Sequence, residues 1–127
     1  MRIAIDSNRI SDFRKGDRRA VQVVREATTV FVPLIVVAEQ RAGFLFGSKR
    51  SENEKIWTQF IANPRVSVLC PDEVTAHFYA ELYFDLRKRG RPIPTNDIWI
   101  AAIVLQYDLI LFDRDSDFDS IPRLTRI

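Results

Sequence analysis

Short apolar runs separated by helical segments constrain the fold more than any other feature of this sequence. Four such runs predict strands, and the terminal residues predict a short fifth: 2–5, 28–32, 66–69, 109–112 and 124–127. Strands that are apolar rather than alternating are typical of parallel sheets covered by helices on both faces. We therefore expect a three-layer α/β/α domain around a central parallel sheet of four to five strands.

Apolar residues at helical spacing fill the segments between these strands. A helix begins after Asp6, and further helices are predicted over 20–27, from 33 to between 43 and 47, around 56–61, over 72–89 and from 95 or 96 to 105. Pro33 suits the first turn of its helix, because its missing N–H costs nothing there. Thr95 or Asn96 is expected to cap the last helix, and Gly90 to end the one before it.

Length and composition bound the class of protein. A chain of 127 residues, 46% apolar and 28% charged, fits one globular domain spanning 1–127. No apolar run approaches the ~20 residues that cross a bilayer, so no membrane association is expected. Asp6 comes too early for a signal peptide, and the single cysteine, Cys70, excludes an internal disulfide and a cysteine-based zinc site. These features predict a cytoplasmic protein.

Acidic residues follow two of the predicted strands directly. Asp6 comes after the first strand, and Asp113 and Asp115 come after the fourth. Parallel sheets place their sites beyond the carboxyl ends of the strands, near the switch in strand order. These acids are therefore expected to meet at one edge of the sheet, although Asp6 alone is also compatible with a helix cap or an Asx turn.

Two further acids lie on predicted helices. Glu39 has only apolar residues or glycine three and four positions away, and a carboxylate in such a stripe is costly to bury unless it is paired or bound to a cation. The alternative is a helix rotated so that Glu39 reaches water. Asp97 lies in the first turn of a predicted helix, where the helix dipole by itself favours an acid.

The loop after the fourth strand carries four aspartates, at 113, 115, 117 and 119. Like charges this close repel each other unless a cation neutralises them. Mg²⁺ and Mn²⁺ prefer such all-oxygen surroundings. The loop lacks the central glycine and closing glutamate of the twelve-residue calcium pattern, so that site is excluded.

Other chemistries lack essential residues. No glycine-rich phosphate loop is present, and the only histidine, His77, is interpreted as structural. A receiver-like phosphotransfer domain needs a lysine on a late strand, and the third and fourth strands have none. An aspartyl phosphatase needs a second aspartate two residues after the first, but Asn8 stands there. Ser7 has no candidate base to activate it as a nucleophile.

Four segments in order resemble the motifs of PIN-domain proteins, and their order and the chain length are similar to VapC-type toxins of toxin–antitoxin pairs. They are Ile5-Asp6-Ser7-Asn8, Val36-Val37-Ala38-Glu39, Asp97 followed by Ile98 and later Ala101-Ala102, and Phe112-Asp113-Arg114-Asp115. The resemblance implies an acidic quartet of Asp6, Glu39, Asp97 and Asp115, with Asn8 and Ser7 as accessory polar groups. Asp113 stands where the family more often has Thr or Ser, so the choice between Asp113 and Asp115 stays open, with Asp115 preferred.

The same resemblance implies a metal-dependent endoribonuclease that uses Mg²⁺ or Mn²⁺ on a structured RNA, forms a homodimer and pairs with an antitoxin protein. The net charge is only +2, so RNA phosphates would be held locally by two basic clusters: Arg14 and Lys15, and Arg87, Arg89 and Arg91. The alternative for either cluster taken alone is a solvated surface. The alternative function is a non-catalytic PIN domain that binds RNA or a protein partner.

Overall fold

A computed structural model describes all 127 residues and contains one five-stranded sheet of order β3-β2-β1-β4-β5. Every neighbouring pair of strands is parallel. The strands are β1 (Arg2–Ile5), β2 (Thr29–Pro33), β3 (Val66–Leu69), β4 (Ile110–Phe112) and β5 (Thr125–Arg126). The predicted parallel sheet of four to five strands is confirmed.

Six α-helices and one 3-10 helix connect these strands. They are α1 (Ser7–Arg14), α2 (Arg18–Glu26), α3 (Leu34–Phe46), α4 (Arg50–Ile61), α5 (Glu73–Lys88), α6 (Thr95–Gln106) and the 3-10 helix (Ser116–Ser120). Parallel crossovers are right-handed, and the chain moves one way from β1 to β3 and then returns to β4. The connecting helices therefore cover both faces of the sheet, as the three-layer prediction requires.

The strand order reverses between β1 and β4, and this point determines where the site lies. Ile3 pairs with Ile110 and Ile5 with Phe112, so the two strands end at the same level. The Asp6 N–H donates to the Phe112 carbonyl at 3.1 Å, which extends the pairing one residue further. The residues that follow both strands consequently emerge side by side at a topological switch point.

The hydrophobic core lies on both sides of these two central strands. Ile3, Ile5, Leu111 and Phe112 are completely buried, and α6 is the most buried helix, with six buried apolar residues. A helix that is apolar around most of its surface must be enclosed on several sides. This enclosure fixes the first turn of α6, which carries Asp97, relative to the sheet.

Two local predictions were wrong. Pro33 ends β2, with φ −57° and ψ 141°, and precedes α3 rather than lying in its first turn. Pro94 occupies the cap position of α6, so neither Thr95 nor Asn96 caps it. In both cases the fixed φ of proline is compatible with the extended residue before a helix as well as with the first helical turn, and only ψ distinguishes the two.

None of the helices is both long enough and apolar enough to cross a membrane.

Candidate metal and active site

A polar cleft lies at the switch point, and its lining includes the acids that the sequence predicted at strand ends and on helices. It has a volume of about 410 Å³ and no hydrophobic residue in its lining. The lining residues are Asp6, Ser7, Asn8, Glu39, Pro94, Thr95, Asn96, Asp97, Asp115 and Asp117. All four acids of the predicted quartet and both accessory residues, Ser7 and Asn8, thus lie around the same cleft.

Asp6 connects β1 to α1 and is only 4% exposed. It occupies the cap position of α1, yet its side chain makes no capping hydrogen bond, so its carboxylate remains available to the cleft. The pKa of Asp6 is raised to about 6, mainly by burial and in addition by the charges of Glu39, Asp113 and Asp115. A carboxylate in such surroundings is stabilised by a positive charge brought from outside the protein.

Glu39 is half-buried and reaches the cleft from α3. Its Oε1 accepts a hydrogen bond of 2.8 Å from the Ser7 hydroxyl. The neighbouring Gln40 is buried and joins the same two helices, because its amide donates to the Ser7 carbonyl at 3.1 Å and accepts from Arg14 at 2.9 Å. The apolar neighbours of Glu39 are therefore compatible with partial burial beside a polar partner.

Asp97 lies in the first turn of α6 and is 9% exposed. Burial raises its pKa to about 7, with further contributions from the charges of Asp115 and Asp6 and from a hydrogen bond with Asp117. Oxygen atoms of Asp97, Asp115 and Asp117 all lie within 4.8 Å of one another. These three carboxylates are close enough to share one cation.

Asp113 follows β4 but is not part of the cleft lining. Its carboxylate is buried and forms a two-pronged salt bridge with Arg126, at 2.9 Å from Nε to Oδ2 and 2.7 Å from Nη2 to Oδ1. Asp115 lines the cleft instead. This geometry favours Asp115 over Asp113 as the fourth acid of the site.

The cleft carboxylates have no cationic partner, whereas every other buried or half-buried acid of the protein forms a salt bridge with an arginine. Asp12, which is half-buried, is held by Arg9 and Arg114, and these hydrogen bonds lower its pKa. Asp113 is held by Arg126. The six salt bridges of the structure involve none of the carboxylates that line the cleft.

The donor set of the cleft fits a hard divalent cation. Every candidate ligand atom is an oxygen, the carboxylates are unpaired, and two of them have a raised pKa that a bound cation would lower. Mg²⁺ and Mn²⁺ are bound through a few carboxylates with several waters, and an open polar cleft provides room for both. Asp97, Asp115 and Asp117 are the closest group of candidate ligands, with Asp6 and Glu39 beside them.

The predicted phosphate-binding residues have different surroundings. Arg14 is engaged with Gln40 and lies over the Phe44 ring, and Arg89 binds Asp85 and the Ser120 carbonyl. Arg87 lies over the Tyr83 ring. Lys15 and Arg91 are exposed and make no side-chain hydrogen bond. None of these basic residues lines the cleft itself.

Asp117 and Arg126 were not predicted as site residues. Asp117 stands two residues after Asp115 in the acidic loop, and the 3-10 helix brings its carboxylate back to the cleft, with its N–H bound to Asp115 Oδ1 at 2.9 Å. The spacing alone could have identified it. Arg126 comes from β5 and its pairing with Asp113 depends on the sheet order, for which the sequence offers no signal.

An acidic cleft of this kind at the switch point of a parallel sheet is typical of proteins that bind a divalent cation beyond the strand ends. The chain belongs to the PIN domain family, whose model matches residues 3–124. This match confirms the resemblance inferred from the four motifs.

The chain is also similar to proteins named as ribonucleases. Ribonuclease VapC1 of Haemophilus influenzae strain R2866 is 38% identical over 80 residues, which are 62% of this chain and 59% of that protein. Ribonuclease VapC5 of Mycobacterium tuberculosis is 29% identical over 97 residues, 76% of this chain and 69% of that protein. The matched segment thus spans less than two thirds of the Haemophilus relative.

Solved structures agree with the fold over the whole chain. The VapBC-1 structure from nontypeable Haemophilus influenzae has a TM-score of 0.84 at 26% identity, and it covers 100% of this chain and 97% of that chain. VapBC2 from Rickettsia felis, bound to a DNA fragment from its promoter, has a TM-score of 0.89 at 21% identity, with 100% and 98% covered. At the latter identity the likeness concerns the fold alone.

Proposed function

We propose that this PIN domain is a divalent-metal-dependent endoribonuclease that hydrolyses phosphodiester bonds of structured RNA. The observation that carries the proposal is the cleft itself, in which five carboxylates converge without a cationic partner. Leaving like charges together and partly buried is costly, and a bound cation offsets that cost. Relatives named as ribonucleases support RNA as the substrate class.

In this proposal Asp6, Asp97 and Asp115 would bind the cation directly, and Asp117 would be a further ligand. A bound Mg²⁺ or Mn²⁺ ion supplies positive charge to the attacked phosphodiester and lowers the pKa of the attacking water. Glu39 lies at the edge of the carboxylate group with its Oε1 fixed by Ser7, a position suited to orienting that water or to a second cation. Asn8 is exposed at the cleft and would contact the substrate as an uncharged polar group.

The RNA must approach an acidic cleft, so its phosphates need basic residues outside it. Lys15, Arg87 and Arg91 have no carboxylate partner and are the candidates for these contacts. Arg14 and Arg89 have intramolecular partners, so their contribution to RNA binding is expected to be smaller. Such contacts hold the backbone without selecting a sequence.

The biological role that fits best is the toxin of a type II toxin–antitoxin pair, acting in the cytoplasm as a homodimer with an antitoxin partner. Solved neighbours named as VapBC complexes support a protein partner. The surface also exposes apolar side chains suited to protein contacts, above all Phe46 at 94%, Phe84 at 67% and Leu45 at 62%. Light scattering coupled to size exclusion tests the dimer, which is expected at twice 14.8 kDa.

The decisive experiment incubates the purified chain with total RNA and with defined structured RNAs, in Mn²⁺, in Mg²⁺ and in EDTA. Cleavage is expected in either metal and not in EDTA, and it should be lost in Asp6→Asn and Asp97→Asn variants that still fold. Asp108→Asn is the matched control, because Asp108 is exposed and lies outside the cleft.

Cleavage that persists in EDTA or in both variants would contradict the mechanism. RNA binding without metal and without cleavage would favour the alternative function, a PIN domain that binds RNA but does not cut it.

A further inference from the structure

Asp113 and Arg126 form a salt bridge outside the lining of the cleft, and neither has a role in the proposed reaction. Asp113 is 4% exposed and does not line the cleft, and Arg126 belongs to β5, the edge strand of the sheet. Both residues contact the backbone of Asp115. Their geometry therefore bears on how one cleft carboxylate is held.

Both polar groups of the Asp115 backbone form hydrogen bonds with side chains of the loop and the sheet. Its N–H donates to Asp113 Oδ1 at 3.0 Å, and its carbonyl accepts from Arg126 Nη2 at 3.0 Å. The same Nη2 donates to Asp113 Oδ1 at 2.7 Å, so Asp113, Asp115 and Arg126 form a closed network of hydrogen bonds. The Asp115 backbone thus has both of its polar groups fixed by this one pair.

Arg126 anchors the network to the sheet and to the end of the acidic loop. Residue 126 pairs with Leu111 in the sheet, so its backbone position is set by β4. Its Nη1 binds Asp119 Oδ1 at 2.6 Å, and its Nε binds Asp113 Oδ2 at 2.9 Å. One guanidinium group therefore connects the start and the end of the acidic loop to the sheet.

The salt bridge with Arg126 also determines how strongly the Asp113 charge acts on the cleft. A buried carboxylate without a partner would add to the repulsion among the cleft acids. Arg126 offsets much of this charge through two parallel hydrogen bonds, so Asp113 supplies an acceptor oxygen for the loop with less repulsion than an unpaired carboxylate would cause. Asp113 is in this respect unlike the unpaired acids that line the cleft.

We propose that Asp113 and Arg126 are positioning residues, which fix the Asp115 backbone and thereby hold the Asp115 carboxylate at the distance from Asp97 that cation binding requires. This inference rests on the proposed metal site, but not on RNA being the substrate. It predicts that the pair acts on metal affinity through Asp115 without contacting the metal itself.

The test measures Mn²⁺ binding to the full chain by isothermal titration calorimetry, at a pH above the pKa of Asp97. Arg126→Gln and Asp113→Ala are each expected to weaken Mn²⁺ binding about 10-fold or more, as removal of a group that orients a ligand does. Arg126→Lys keeps the charge but cannot form the planar double contact, so its effect should be intermediate. Arg123→Gln, an exposed arginine three residues away, is the matched control and should bind as the wild type does.

A second substitution at position 113 separates positioning from direct ligation. Asp113→Asn keeps an amide oxygen that can accept from the Asp115 N–H and from Arg126, and it removes the negative charge that direct ligation of a cation would use. It is expected to keep most of the Mn²⁺ affinity that Asp113→Ala loses. If it binds as weakly as Asp113→Ala, the Asp113 carboxylate is itself a ligand and the proposal is wrong.

A second readout is independent of metal and of cleavage. Hydrogen exchange of the Asp115 amide, followed by NMR in EDTA, should be slow in the wild type and in Asp113→Asn, and fast in Asp113→Ala. Unchanged Mn²⁺ affinity in a folded Arg126→Gln protein, or unchanged exchange of this amide in Asp113→Ala, would overturn the proposal. Absence of RNA cleavage with both readouts as expected would contradict the proposed function alone.

Discussion

Whether a buried aspartate has a positive partner decides what that aspartate does in this protein. Asp113 and Asp97 are 4% and 9% exposed, and both lie next to the same acidic loop. Asp113 has Arg126 at 2.7 Å, whereas the charged groups beside Asp97 are other carboxylates, and the pKa of Asp97 is raised to about 7. The first can serve as a fixed structural anion, while the second is suited to receive a cation from solvent.

A neutral residue at position 97 should therefore stabilise the metal-free protein while it weakens metal binding. Asp97→Asn removes one of several repelling carboxylates and keeps the side-chain shape. In EDTA above pH 7, its melting temperature is expected to exceed that of the wild type by several degrees, since about 1 kcal/mol corresponds to roughly 2–8 °C in domains of similar size. Calorimetry with and without Mn²⁺ measures both effects.

The control for this prediction is Asp108→Asn, which makes the same chemical change at an exposed position outside the cleft. Asp108 has φ 51°, a conformation that asparagine tolerates well, so no decrease in stability is expected there. If Asp97→Asn lowers the melting temperature in EDTA, the carboxylates do not repel one another and the electrostatic account of the cleft is wrong.

The raised pKa values of Asp6 and Asp97 also predict how stability depends on pH. Each carboxyl binds its proton more tightly in the folded state, with a pKa of about 6 for Asp6 and about 7 for Asp97 against 3.8 for the free group. Their stabilising contribution is thus complete below pH 3.8 and disappears as pH rises to about 7. In EDTA the free energy of unfolding should fall across this window, by at most about 1.4 kcal/mol per pH unit for each group.

Asp12 and Asp72 have the opposite effect on the pH dependence of stability, and their effect appears at lower pH. Hydrogen bonds lower the pKa of both, so the stability they contribute disappears only as pH falls below 3.8. Chemical denaturation of the wild type and of the double variant Asp6→Asn/Asp97→Asn isolates the two cleft groups. The variant should show a flatter profile between pH 3.8 and 7, and equal profiles would refute the assignment.

Sequence alone identified the acids whose position follows from the backbone. Asp6 and Asp115 come after apolar strands and Asp97 starts a helix, so their meeting point follows from the sheet topology. The apolar neighbours of Glu39 on its helix marked it as a candidate, and the motif resemblance grouped it with the other acids. The partner of Asp113 could not be predicted from the sequence, because Arg126 lies on an edge strand whose place in the sheet depends on the whole fold.

At the scale of elements, the cleft depends on how α1 is held against α3. The buried side chain of Gln40 donates to the Ser7 carbonyl and accepts from Arg14, while Ser7 itself binds Glu39. These hydrogen bonds link the helix that follows Asp6 to the helix that carries Glu39. The distance between these two acids is thus set by a polar network between helices and not by either helix alone.

Gln40→Leu should destabilise the protein, because it leaves the Ser7 carbonyl and the Arg14 guanidinium without their partner. Removal of a buried hydrogen-bond partner typically costs about 1–3 kcal/mol. Urea denaturation measures the change, and Gln59→Leu on the exposed face of α4 is the matched control, for which almost no change is expected. Equal stability of the two variants would show that the network does not hold the helices together.

Apolar periodicity predicts most of the elements, and its errors arise where polar side chains override it. Apolar residues recur at every fourth position of α5, at Val74, Phe78, Leu82 and Leu86, and this spacing predicts that they share its inner face. Val74 is nevertheless 51% exposed, while Thr75 is completely buried. The reason is a capping box with Asp72, which turns the start of α5 so that Thr75 faces Gln106 on α6. The 3-10 helix could not be predicted, because five mostly polar residues give no periodic signal.

At the scale of the whole molecule, charge is distributed unfavourably for an anionic substrate near the cleft. The net charge is +2, but several arginines are already engaged, with Asp12, Asp85, Asp113 or Asp119. In the proposed function, RNA therefore meets an acidic cleft with no basic residue in its lining, and the basic residues that it can contact lie outside the cleft. The bound cation and those basic residues together must offset the repulsion between the cleft and the phosphates.

RNA binding should consequently depend on salt through a small number of phosphate contacts. With the non-cleaving Asp97→Asn variant, Lys15→Gln combined with Arg91→Gln is expected to reduce the slope of log affinity against log salt by about 0.7 for each phosphate that is no longer neutralised. The matched control is Arg89→Gln together with Arg14→Gln, which removes two arginines that already have partners. Fluorescence anisotropy over a range of salt concentrations measures both slopes. If the control reduces the slope as much as the test pair, the exposed residues are not the preferred phosphate ligands, and the path of the RNA must cross the Arg14 and Arg89 surfaces instead.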